Sequence, residues 1–136
     1  MRLFARLFEP RTIAYAHCDL PCGVYDPAQA RIEAQSIKAI AEKYQQNEDL
    51  EFRTRALIIK EQRSELVKHH LWVLWTDYFK PPHFEKYPQL NQLFNEATKL
   101  AGGAGGTKSS TDPAVADQLL GKIDEISKIF LETKQA

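Results

Sequence analysis

From residue 26 onward, apolar side chains recur every three or four positions, the spacing of one helix face. Asp26-Pro27 predicts the first helix start, a capping side chain followed by the one residue favoured at the first helical position. Its apolar line is Ala30, Ile37, Ile40 and Tyr44. A second helix is expected from about Asn47 to about Phe79, with Phe52, Ala56, Ile59, Leu66 and Val73 inward. Lys80-Pro81-Pro82 ends it, because proline disfavours helix in the residue before it. A third is expected between Pro88 and Leu100, burying Leu90, Leu93, Phe94 and Ala97. Residues 102–111, rich in glycine and serine, read as a flexible connection. Asp112-Pro113 then repeats the start signal, and Val115, Leu119, Ile123, Ile126 and Phe130 follow as the inward line of a fourth helix. No alternation of strand type has useful length. The pattern predicts an all-α protein, an antiparallel four-helix bundle over 26–136 behind an irregular N-terminal segment.

Two charges interrupt the stripes. Glu33 lies on the line of Ala30 and Ile37, and Arg63 on the line of Ile59, Leu66 and His70. A charge facing a core is costly unless paired. Either both sit where the stripe meets solvent or pair with each other, or they support a polar site between helices; the pattern leaves both open.

Length and composition add bounds. A chain of 136 residues suits one domain with a real core. The net charge of zero gives no nucleic-acid stripe, and no apolar run approaches the length of a membrane span. Residues 1–16 differ from the rest: Arg2, Arg6, Glu9 and Arg11 break the apolar run that an export signal needs, yet the segment ends in Ala14-Tyr15-Ala16, like a signal-peptidase site. It reads as a short leader, removed on maturation without directing export, which leaves 17–136 as the working domain in the cytoplasm.

The chemistry concentrates in His17-Cys18-Asp19-Leu20-Pro21-Cys22, which holds both cysteines of the chain beside a histidine. Two thiolates and an imidazole on so short a loop can converge on one ion, and Pro21 and Gly23 favour a chain that folds back. A bare pair of cysteines at this spacing is equally a pair of free thiols or a local disulfide. On the residues alone, a metal-trafficking module and a structural bundle with a disulfide hook stand beside a redox enzyme. His70 reads as a satisfied core histidine, His69 and His83 as surface or interface, and Trp72, Trp75, Phe79 and Phe84 as core or interface aromatics.

The uninterrupted string HCDLPCGVYDP resembles the N-terminal hook of nickel superoxide dismutases, and the resemblance continues through TDYFKPPHFEKYP over most of residues 17–136. It implies dismutation of superoxide to dioxygen and hydrogen peroxide by Ni(II)/Ni(III) cycling, with one nickel ion per subunit. The implied ligands are the free amine and imidazole of His17, the amide nitrogen and thiolate of Cys18, and the thiolate of Cys22. The amine exists only if a maturation protease cleaves after Ala16. The resemblance further implies that Asp19 and Tyr25 shape the approach to the metal within a hook of residues 17–25. It places Glu33 and Arg63 beside the axial histidine, and Tyr78 and Lys80 near the site. It also implies a homohexamer, with neither nucleic acid nor membrane as partner.

Overall fold

The computed structural model describes residues 24–135, and among them the regular structure is entirely helical. Five α-helices follow in order: α1 (Ala28–Gln45), α2 (Leu50–Val73), α3 (Pro81–Lys86), α4 (Leu90–Leu100) and α5 (Pro113–Gln135). One turn of π-helix, Leu74–Tyr78, extends α2. The four longer helices form the expected bundle, and the short α3 is an addition, initiated by the same proline pair that was expected to end the second helix.

Asp26 and Asp112 act as the starts predicted, and Asp49 caps the second helix two residues after the start expected near Asn47. Asp49 accepts from the Phe52 N–H at 2.8 Å, Asp112 from the Ala114 N–H at 2.9 Å, and Asp26 from the Ala28 N–H at 2.8 Å. The α1 helix begins one residue later than expected, with Pro27 in the turn that precedes it.

Cross-helix polar pairs fix the directions. Arg31 meets Asp124 and Lys38 meets Asp117, each at 2.8 Å, so α1 and α5 run antiparallel. Lys122 with Glu96 at 2.9 Å and Tyr87 with Glu132 at 2.8 Å set α4 antiparallel to α5. The core lies between them, built from Ile37, Val67, Leu71, Leu90, Phe94, Leu119, Ile123 and Ile126. The inward faces of α4 and α5 match the sequence pattern closely, although Ala116, not Val115, is the first buried residue of α5.

The inward face of α2 differs from expectation. Ala56, Lys60, Ser64, Val67 and Leu71 are buried, whereas Leu66 is 39% exposed and Phe52, Ile59 and Val73 are half-buried. The two lines share Ala56 and then diverge by one residue, about 100° around the helix. The apolar arc of α2 is wide enough to cover both, and packing against α1 selects the line with smaller and polar members. Small side chains on α1, at Ala30, Ala34 and Ala41, fit that close approach.

Lys60 explains the polar choice. It is 1% exposed, and its ammonium donates to the carbonyls of Thr107 and, at 3.0 Å, Lys108. Ser64 Oγ lies 2.7 Å from Thr107 Oγ1. The segment 102–111 is therefore a pinned structure rather than the flexible connection expected. Gly106 belongs to the same design, since a Cβ there would come within 2.6 Å of three backbone carbonyl oxygens.

Candidate metal centre

His17, Cys18, Asp19 and Cys22 lie outside the described residues, so the geometry concerns the candidate site residues from Tyr25 onward. Among the described residues no three His, Cys, Asp or Glu side chains gather in a way that could hold a metal ion. The side-chain donors of residues 17–22 are of a kind that fits nickel: imidazole nitrogen and thiolates suit Ni(II), and thiol protons are readily displaced by a bound metal.

Tyr25 stands at the root of the hook, three residues after Cys22. It is half-buried and packs against the core. Its ring lies 5.8 Å from that of Tyr78, inclined by 57°. Tyr78 owes its direction to the π-turn, where the Phe79 N–H reaches back five residues to the Leu74 carbonyl at 3.0 Å. The extra residue takes Tyr78 out of the register of α2 and aims it at Phe130 of α5, 4.5 Å between centroids. The Thr133 hydroxyl donates to the Phe130 carbonyl at 2.6 Å. The Tyr78 hydroxyl, 2.7 Å from Thr133 Oγ1, is therefore the donor in that contact.

Glu33 and Arg63, the two charges that broke the stripes, meet. Arg63 Nη1 donates to both carboxylate oxygens of Glu33, at 2.9 and 3.2 Å. The Glu33 side chain is 15% exposed and that of Arg63 is 43% exposed, so the pair rims the α1–α2 interface. His70 stands close enough for the Glu33 charge to raise its pKa. Burial is the larger influence and, with the neighbouring His69, pushes His70 below its ordinary value.

Lys80 is the last residue before α3, in extended conformation. His83, expected at the surface or an interface, is half-buried, and its Nδ1 accepts from the Lys80 N–H at 3.1 Å. The signal was the three-residue spacing from Lys80 to His83 across Pro81-Pro82, which is that of a capping box. Among the described residues no helix is long and apolar enough to cross a membrane.

Comparison with known proteins bears on the whole chain. The model of the family described as nickel-containing superoxide dismutase matches residues 12–134. A superoxide dismutase [Ni] of Streptomyces seoulensis is 62% identical over 134 residues, 98% of this chain and all of the relative. A native nickel superoxide dismutase solved at 1.30 Å superposes with a TM-score of 0.83 at 62% identity, covering 88% of this chain and all of that one. Three further solved relatives, 59–61% identical, are variants. One replaces a histidine at the first position, one an aspartate two positions later, and one a tyrosine eight positions after that histidine. With the match running through both the hook and the bundle, the chain belongs to the nickel-containing superoxide dismutase family.

Proposed function

We propose that this chain is a superoxide dismutase whose nickel is held by the His17 amine and imidazole, the Cys18 amide nitrogen and thiolate, and the Cys22 thiolate. The observation that carries this reading is the family match from residue 12 to residue 134, which includes the whole of residues 17–22. Bound there, nickel supplies the Ni(II)/Ni(III) couple by which one superoxide is oxidised to dioxygen and a second, taking up two protons, is reduced to hydrogen peroxide.

The chain's own residues prepare that site. Cleavage after Ala16 converts the His17 nitrogen from an amide into an amine. Two facts support the cut. The solved relative, matched in full, covers 88% of this chain, whereas the sequence relative covers 98%. The substituted histidine, aspartate and tyrosine of the solved variants have the spacing of His17, Asp19 and Tyr25 when the histidine is the first residue. Tyr25, seated on Tyr78, anchors the root of the hook, and Asp19 shapes the approach of the anion. Glu33, its charge held by Arg63, orients the His17 imidazole. The exposed apolar side chains Ile32, Leu50, Ile58, Leu66 and Trp72 on α1 and α2 support a homo-oligomer, a hexamer in our reading. The charged interruptions in residues 1–16 support maturation in the cytoplasm by a protease that cuts after Ala16.

The test is the mass of the mature N-terminus with nickel content and dismutase turnover of the same sample. A chain beginning at His17, with one nickel per subunit and turnover, is expected. Full turnover in a nickel-loaded chain that still carries residues 1–16 would overturn the amine ligand.

A further inference from the structure

The lysine-proline-proline corner after α2 holds Tyr78 through a residue to which the family resemblance gave no role. Lys80 and His83 bond reciprocally: the His83 N–H donates to the Lys80 carbonyl at 2.9 Å, and the Lys80 N–H donates to His83 Nδ1 at 3.1 Å. Accepting through Nδ1 requires a neutral ring with its proton on Nε2. The bond also fixes the ring plane. That plane lies nearly parallel to the Tyr78 ring, 17° apart with centroids separated by 5.9 Å, an offset stack. It meets Phe79, which is buried, edge to face at 5.8 Å and 89°. Tyr78 is thus bounded by His83, Phe79, Phe130 and Tyr25, with its hydroxyl committed to Thr133.

We propose that His83 is a positioning residue: its ring, set by the Lys80 N–H, holds Tyr78 at the angle on which Tyr25 and the root of the hook rest. Three observations carry this independently of the metal. The Tyr78 hydroxyl bond fixes only the far end of the side chain and leaves rotation about its axis to the ring contacts. Of the two rings nearly adjacent in sequence, Phe79 is held by the core, so His83 is the one that closes the side facing α3. The corner admits little play, because Pro81 and Pro82 fix two successive backbone angles between Lys80 and His83. The consequence for turnover rests on the functional reading given above; the ring contact does not.

Two substitutions separate the ring from its hydrogen bond. His83→Gln keeps an acceptor for the Lys80 N–H, as glutamine does in a capping box, but removes the ring. His83→Phe keeps a ring against Tyr78 and removes the acceptor. In the nickel-free chain, cross-relaxation between the ring protons of Tyr25 and Tyr78 should weaken in His83→Gln and persist in His83→Phe. In the processed, nickel-loaded enzyme, turnover should fall roughly tenfold in His83→Gln, the scale of a small misplacement at a reacting site, with nickel content unchanged. His83→Phe should restore most of it. Wild-type contact and turnover in His83→Gln would overturn the proposal, and so would loss of both in His83→Phe. Should His83→Gln fail to fold, His83→Phe decides alone by the same two readouts. A wild-type enzyme without turnover would instead count against the functional reading, while the Tyr25–Tyr78 contact would still test this one.

Discussion

One guanidinium nitrogen of Arg63 bridges both carboxylate oxygens of Glu33, at 2.9 and 3.2 Å, across the interface of α1 and α2. The carboxylate is the more enclosed partner, so the arginine compensates a charge that water reaches poorly. Removing the arginine strands that carboxylate; removing the glutamate leaves a cation that solvent can still hydrate.

Arg63→Ala should therefore destabilise the bundle more than Glu33→Gln does, by about 1–2 kcal/mol against less than about 1 kcal/mol. Urea unfolding of the two variants and the double variant gives the comparison. Equal costs would show that the pair is an ordinary surface contact. If Glu33 also orients His17, nickel-loaded Glu33→Gln should lose roughly 10–100-fold in turnover while keeping its metal.

The same carboxylate raises the His70 pKa against burial and His69, which hold it below 6.5. A histidine depressed in the folded state binds its proton more readily once unfolded, so its contribution to stability is lost as pH falls through about 6.5. Glu33→Gln should lower the His70 pKa further, measured by the pH dependence of its imidazole proton resonances. An unchanged or higher value would mean that Glu33 does not act on His70.

Cys18→Ser and Cys22→Ser should each abolish turnover and leave helix content unchanged. Serine offers a hard oxygen donor in place of a soft thiolate, and the core cluster is built from residues of the bundle between Ala30 and Phe130. Near-native turnover in either variant would remove that cysteine from the ligand set.

Lys60→Met tests the pin of residues 102–111. It leaves the Thr107 and Lys108 carbonyls short of a donor, and should cost about 1–3 kcal/mol. Burial pushes the Lys60 pKa below 10.5. Between the lowered value and 10.5 the unfolded chain holds more protons than the folded one, so this group makes stability rise with pH in that window. The stability difference between wild type and Lys60→Met should therefore widen as pH rises toward 10.5, followed by unfolding at several alkaline pH values. A constant difference would show that Lys60 titrates alike in both states.

Two glycines should respond oppositely to alanine. Gly106→Ala drives a Cβ into the carbonyls of Lys99, Leu100 and Gly102, and should cost about 1–3 kcal/mol. Gly121→Ala lies on an exposed face of α5 with nothing near the added atom, and should stabilise by about 0.5–1 kcal/mol. Thermal unfolding of both checks the pair; a stable Gly106→Ala would mean that the loop can open around it.

Local sequence alone set the helical class, the helix starts at Asp26 and Asp112, and the inward faces of α4 and α5. Each depends on neighbours one to four residues away, such as the Asp112 carboxylate and the Ala114 N–H. It also marked Glu33 and Arg63, because a charge on an apolar stripe is visible without coordinates. Relations between distant residues came from packing instead. Which arc of α2 faces inward was settled by the close approach of α1 and by a buried lysine whose acceptors lie 47 and 48 residues away. The direction of Tyr78 was settled by a π-turn, since closing one turn over five residues instead of four leaves the sequence pattern unchanged but rotates everything after it. The pairing of Glu33 with Arg63 belongs to the same kind, because periodicity places a side chain on a face and only packing supplies its partner.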